Sequence, residues 1–408
     1  ELARGARGGC ADAFAAVQAL RARRGLPRYV VVAAADNELS VDLDHALQVD
    51  AMVAMIGGRE HAILLELWPA PGDAIARGDA GAYASELVVS FARGPAAPAA
   101  STRMAAAVVG AAVTRRFAPG SRWLYAKLYG GVSSADRVLA DAVGPVVREA
   151  LATGAARRWF FLRYADPHPH VRLRIDGDPA RLARETLPAL HVAAAPLLAD
   201  GALWRVQLDT YEREVERYGG RAGIELCEDI FWHDADAALA IVEQLDGDAG
   251  AEARWQLALV SAERLLDALG ADAASRQRVF AGGKAALAAE FRAGAPLLEA
   301  IGARWREHEA RLTELLAPGR AAVPGEPLAA GLAAIDRRDL AVRRLRADER
   351  GPMIASMLER VAWSLVHMSC NRLLHASARA QELVIYELLR RWHGRQRARV
   401  TVAPEVAA

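Results

Sequence analysis

The 408-residue sequence predicts an α+β protein: a small mixed or antiparallel sheet with helices on one face, followed by a largely helical half. Three observations predict it. Short runs of alternating apolar residues recur up to about residue 208. Between 121 and 208 they fall in a β-α-β-β-α-β order, that of a ferredoxin-like or split βαβ sheet. From about 223 to 396 the apolar period is helical throughout.

Residues 1–24 read as an Ala- and Arg-rich helix ending at Gly25. Pro27 opens a strand over 28–36, and Asp36-Asn37 is a turn. Ser40–Leu43 pairs next, and a short helix near 46–56 is broken by Gly57-Gly58. AILLELW (62–68) and SELVVSFAR (85–93) read as further strands. GPAAPAAS (94–101) has linker composition, so a domain boundary is expected between about 94 and 120. The predicted domains are 1–100, 119–397 and a flexible tail, 398–408.

In the second domain SRWLYAKLYG (121–130) is a strand, Asp136–Ala152 an amphipathic helix, and Trp159–Asp176 a hairpin. A helix at 180–199 and a strand around Trp204, Val206 and Leu208 complete the unit. Helices follow near 222–245, 251–270, 274–294, 297–316, 327–346, 352–377 and 379–395, with Pro352 suited to a first helical turn.

The charge balance, 51 basic against 50 acidic residues, argues against bulk electrostatic binding of nucleic acid. Cys10, Cys227 and Cys370 are too few and too scattered for a disulfide frame or a zinc site, which fits a reducing cytoplasm. No run is apolar enough for a membrane span. The chain begins at Glu1 with no signal-peptide pattern, and a fragment of a longer protein is expected.

Three constellations carry candidate chemistry. In the hairpin, His170, Arg172 and Arg174 share one strand face, opposite Val171, Leu173 and Ile175. A row of two guanidiniums and an imidazole suits an anion, or a solvated edge strand. In YEREVERYGG, Arg213, Glu214 and Arg217 alternate in sign, which alone describes an ordinary surface ladder. In the apolar helix after Pro352, His367 and Asn371 lie four residues apart, with Ser364 and Arg372 near. A buried His–Asn pair is a core hydrogen bond or a proton-transfer group. PHPH (167–170) lacks the spacing of a metal site, His233-Asp234 reads as a helix-face detail, and the basic run Arg337–Arg346 reads as a solvated face. No phosphate-loop or nucleophile-elbow motif is present.

PGSRWLYAKLYGG, RRWFFLRYADPHPHVRLR, YEREVERYGG and HMSCNR occur in the order and spacing of one family. From about Pro119 to Arg395 the chain resembles the C-terminal, elimination domain of class I lantibiotic dehydratases, a domain type that also stands alone in thiopeptide pathways. GLPRYVVVAAADNELSVDLDHAL and AILLELWP resemble the end of that family's glutamylation domain.

The resemblance implies a lyase that removes glutamate from glutamylated Ser or Thr of a precursor peptide, leaving dehydroalanine or dehydrobutyrine. It implies site residues Arg172, Arg174, Glu214, Arg217 and His367. Arg172 and Arg174 would hold the glutamyl unit or the enolate beside it. Arg217, oriented by Glu214, would meet an oxyanion or the leaving carboxylate. His367 would transfer a proton in either direction. No cofactor or metal is implied; glutamyl-tRNA serves the upstream glutamylation domain. The implied partners are the precursor peptide, the glutamylation domain or protein, a lanthionine cyclase and a second copy in a homodimer. Two other readings stand beside this: a pyridine-forming cycloaddition enzyme on the same domain type, and a non-catalytic peptide- or RNA-binding module.

Overall fold

The computed structural model describes residues 10–34, 37–57, 62–68, 70, 73, 76–78, 81–83, 113–245, 247–317, 320, 322–323, 328–348 and 350–402. The chain divides into two compact units, 1–108 and 109–408.

The first unit opens with α1 (Cys10–Arg24), then β1 (Tyr29–Ala34), β2 (Asn37–Asp42), α2 (Ala46–Ile56) and β3 (Ile63–Glu66). The strands form an antiparallel sheet in the order β2-β1-β3. Val30, Val32 and Val41 bury against Val17 of α1 and Val49 and Met52 of α2. A small hairpin, β4 (Ala76–Gly78) and β5 (Gly81–Tyr83), follows. The strand expected over 85–93 and the linker-like 94–101 lie outside the described residues.

The second unit begins with β6 (Arg116–Phe117) and β7 (Trp123–Gly130). Next comes α3, in which Ala135–Val138 and Gly144–Ala152 are joined by a π-helical turn, Leu139–Val143. The hairpin is β8 (Ala156–Ala165) and β9 (Pro169–Gly177), with a cis peptide between Asp166 and Pro167. The next helix, α4, repeats the composite form: Pro179–Arg181, a π-helical turn Leu182–Thr186, then Leu187–Ala199. Asp178 caps it by accepting from the Arg181 N–H at 2.9 Å, with Pro179 in the first turn. Strands β10 (Leu203–Leu208) and β11 (Tyr211–Glu212) complete the β portion.

The four long strands pair antiparallel in the order β10-β7-β9-β8, the ferredoxin-like arrangement expected from the element order. The register sets Arg172 between Lys127 and Leu162, and Arg174 between Tyr125 and Phe160. Because side chains alternate across a strand, Val171, Leu173 and Ile175 face the other way and are buried. On that apolar face Leu128, Val171 and Val138 of α3 line a common pocket. The basic face carries an aromatic core of its own. Phe160 lies 5.7 Å from Trp123 and 5.4 Å from Phe231, ring centre to ring centre. Burying each such ring contributes roughly 1.5–3 kcal/mol.

Among the described residues seven helices follow: α5 (Gly220–Val242), α6 (Gly247–Ala268), α7 (Ala273–Glu290), α8 (Ala295–Leu315), α9 (Ala329–Ala347), α10 (Gly351–Leu373) and α11 (Ala378–Val402). The last runs to Val402, into the stretch 398–408 that the sequence reading gives to a tail. The second half of α10 is buried, but its first turns alternate between buried and exposed positions, so it is less apolar around its circumference than the sequence reading has it.

Two readings change. The basic run Arg337–Arg346 is not simply a solvated face: Arg338 is completely buried, paired with Asp234 at 3.0 Å and Asp339 at 2.7 Å. Asp234 is not a helix-face detail. It also accepts from Arg372 at 2.8 Å and from Ser369 at 2.9 Å, tying α5, α9 and α10 together. A helical period identifies a face but not which charges within it find buried partners.

Candidate functional site

A cavity of about 320 Å³ opens on the basic face of the sheet, and Arg172, Arg174, Glu214, Arg217 and His367 all line it. Strand β9 supplies the two arginines, the turn after β11 supplies Glu214 and Arg217, and α10 supplies the histidine. The three motifs meet because α10 docks on the edge strand β8. There the Asn371 side chain bonds both backbone groups of Arg163, and Arg372 donates to the Phe161 carbonyl at 3.0 Å.

Arg174 sits in an aromatic box. Its guanidinium carbon lies 4.8 Å from the Tyr125 ring centre, 5.3 Å from Phe160 and 4.5 Å from Tyr211. Ring faces stabilise a cation while leaving its hydrogens unused. Its Nε is buried and has no hydrogen-bond partner. Arg172 stacks on Tyr164 at 3.4 Å, and its Nε donates to His170 Nε2 at 3.1 Å. Among the described residues no carboxylate pairs with either arginine. Two guanidiniums on one strand face, with no direct ion pair among the described residues and only the Lys127-paired Asp209 near Arg172, can receive an anion.

His170 belongs to the turn. Its Nδ1 donates to the His168 carbonyl at 2.8 Å, leaving Nε2 to accept from Arg172. Burial, then the Arg172 charge, holds this imidazole below its ordinary pKa despite the carbonyl partner.

Tyr211 is held by a carboxylate that no sequence motif marked. Glu228 is fully buried and accepts from the Tyr211 hydroxyl at 2.9 Å, from Arg213 at 2.7 and 2.6 Å, and from Arg158 at 3.0 Å. Burial, with Glu228 beside it, pushes the Tyr211 hydroxyl up, so it stays protonated and donates. Arg213 is therefore structural, whereas its neighbours Glu214 and Arg217 stand at the cavity rim.

Arg217 donates to Glu214 at 2.9 Å and to the Ser364 hydroxyl at 3.3 Å. The ion pair is partly exposed and worth little by itself; its effect is to aim the guanidinium. The chain reverses directly after it through Gly219 and Gly220, with φ of 84° and 82°, a conformation that favours glycine.

His367 and Asn371 share a helix face but are not bonded to each other. Asn371 is taken by the Arg163 backbone. His367 Nδ1 instead lies 2.9 Å and 3.1 Å from the two oxygens of Glu382 on α11. Its ring stacks on Trp363, 5.6 Å away and inclined by 9°. Sequence reasoning missed Glu382. The signal was the i, i+4 pair Glu382 and Tyr386 preceded by Arg379, which puts a carboxylate, a hydroxyl and a guanidinium on one face of α11.

The ferredoxin-like sheet turns its basic face toward a histidine held by a carboxylate. The chain belongs to the lantibiotic biosynthesis dehydratase C-terminal family, whose model matches residues 123–393. It is 29% identical over 212 residues to the subtilin biosynthesis protein SpaB of Bacillus subtilis, a match spanning 52% of this chain and 20% of SpaB. It is 32% identical over 117 residues to the nisin biosynthesis protein NisB of Lactococcus lactis subsp. lactis, spanning 29% of this chain and 11% of NisB. Among solved structures, MibB, a tRNA-dependent lantibiotic dehydratase from Microbispora sp. 107891, aligns over 98% of this chain with a TM-score of 0.53 and 25% identity. The alignment covers 39% of MibB, so the chain spans a minor part of each of these proteins. No helix among the described residues is long and apolar enough to cross a membrane.

Proposed function

We propose that this domain eliminates glutamate from glutamylated Ser or Thr residues of a precursor peptide, giving dehydroalanine or dehydrobutyrine. The observation that carries the reading is the pair Arg172 and Arg174, with no direct ion pair among the described residues, in the same cavity as His367. Their guanidiniums bind the carboxylate of the glutamyl unit, or the enolate formed beside it. Arg217, aimed by Glu214, meets the oxyanion or the leaving carboxylate, and His367 moves the proton. Donors aimed at developing charge and a placed acid–base group each supply about 10²-fold or more in rate. All of these groups are side chains, so the reaction as proposed uses no cofactor. Glutamyl-tRNA belongs to the preceding glutamylation step, carried out by a domain or protein of which residues 1–100 resemble the end. The peptide, that glutamylation partner, a lanthionine cyclase and a second copy of the chain are the proposed partners. The reducing cytoplasm is the proposed setting for its three free cysteines.

The test is direct. A peptide esterified with glutamate at Ser is mixed with the protein, and glutamate release is followed by mass spectrometry. The wild type releases glutamate, while Arg174→Ala and His367→Ala leave the ester intact. Unchanged turnover in both variants would overturn the site assignment. Aromatisation of a dehydrated peptide with loss of its leader would replace elimination with cycloaddition chemistry.

A further inference from the structure

Among the described residues Glu382 makes no hydrogen bond or ion pair to the sheet; its partners are His367, Tyr386 and Arg379. Its side chain is 2% exposed. It accepts from the Tyr386 hydroxyl and lies 3.6 Å from the Arg379 guanidinium. Arg379 Nη1 also stands 3.5 Å from His367 Nδ1, at the limit of hydrogen-bond reach, whereas the Glu382 oxygens lie at 2.9 Å and 3.1 Å; a carboxylate offers only acceptors, so the shorter contacts put the shared hydrogen on Nδ1. Nε2, across the ring, then carries a lone pair and has no hydrogen-bond partner among the described residues. The flat contact with Trp363 fixes the ring plane.

Resting on the elimination reading, we infer that Glu382 is a positioning residue that holds His367 as the Nδ1–H tautomer and so makes it the base for the Cα proton. Nε2 takes that proton. The C–H electron pair becomes the Cα=Cβ bond, the Cβ–O bond breaks, and its electron pair leaves with the glutamate carboxylate. The resulting imidazolium lies between Glu382 and the Trp363 face until Nε2 releases its proton to water. A protonated histidine waiting to donate would begin the cycle in the opposite state. Tautomer control by a buried carboxylate is the function such a group serves beside a histidine base.

The experiment uses the 408-residue chain with ¹⁵N-labelled histidine, the His367 signals being those missing from His367→Gln. Nitrogen shifts above the imidazole pKa report the tautomer, and turnover is measured on the Ser-glutamylated peptide. The wild type shows the Nδ1–H form. Glu382→Leu, which removes the acceptor, loses that preference and about 100-fold in kcat with KM little changed. Glu382→Gln, which keeps an acceptor oxygen, regains about tenfold of the loss. An Nε2–H tautomer in the wild type overturns the inference, and so does wild-type kcat in either Glu382 variant. If the Nδ1–H tautomer depends on Glu382 but even the wild type releases no glutamate, the elimination reading falls and the positioning role stands.

Discussion

The Asn371 amide bonds both backbone groups of Arg163, accepting from the N–H and donating to the C=O, each at 2.9 Å. One side chain thus completes the outer edge of β8 as a fifth strand would, and it fixes how far His367, one helical turn earlier, stands from Arg172 and Arg174.

Asn371→Ala leaves two backbone groups at that edge without partners. The expected cost is about 1–3 kcal/mol, read from the urea midpoint, together with slower glutamate release as α10 loosens. A midpoint equal to the wild type would show that the edge is held by Arg372 alone.

Glu228 is the counter-charge for two buried or nearly buried guanidiniums, Arg158 and Arg213. Glu228→Ala is expected to cost about 1–3 kcal/mol, because Arg213 then keeps only Glu225 at 3.6 Å, whereas Arg158 retains Asp176 at 3.2 Å and Asp229 at 2.7 Å. Glu216→Ala, which removes the exposed partner of Arg115, should leave the unfolding midpoint essentially unchanged, because solvent screens that pair. Thermal unfolding of the two variants side by side checks the contrast.

Arg174→Lys keeps the charge but loses the planar fork that fits between Tyr125, Phe160 and Tyr211. A loss of about tenfold in kcat/KM, equivalent to one charge-assisted hydrogen bond, is expected with the glutamylated peptide. Wild-type kinetics would mean that charge alone suffices there.

Asp136 joins Arg163 at 2.6 Å and also bonds Arg254. Burial pushes its carboxyl up, but the two guanidiniums outweigh this and hold it below the ordinary carboxylate range. Because the folded-state pKa is the lower one, the stabilisation is complete above the unfolded value of about 4 and fades as pH falls through the folded value. Asp136→Asn should therefore cost about 1–3 kcal/mol at pH 7, and the gap to the wild type should narrow steadily below pH 4. Urea titrations at neutral and acid pH measure both.

The sheet was legible because its signal is local. The alternation from His170 to Ile175 places Arg172 and Arg174 on one face without knowledge of any partner strand. Each of the other two constellations read as structural when taken alone, and family order was needed to join Glu214, Arg217 and His367 to that face. Three things stayed hidden for one physical reason. The aromatic box of Arg174 draws Tyr125, Phe160 and Tyr211 from three strands. Glu382 reaches His367 from the next helix. Arg338 is buried against Asp234, 104 residues earlier. Such contacts depend on how elements pack, and residue periodicity reports only which side of an element is apolar.

The docking of α10 on β8 has a consequence for synthesis. The arginine ledge is complete once residue 217 has been made, whereas the histidine and its carboxylate arrive some 150 residues later and only after α11 has folded back. In a chain emerging from the ribosome, the two strand arginines and Arg217 are therefore present long before the histidine proposed as the base. On the elimination reading, the order of translation puts the proposed anion-binding arginines ahead of the proposed base.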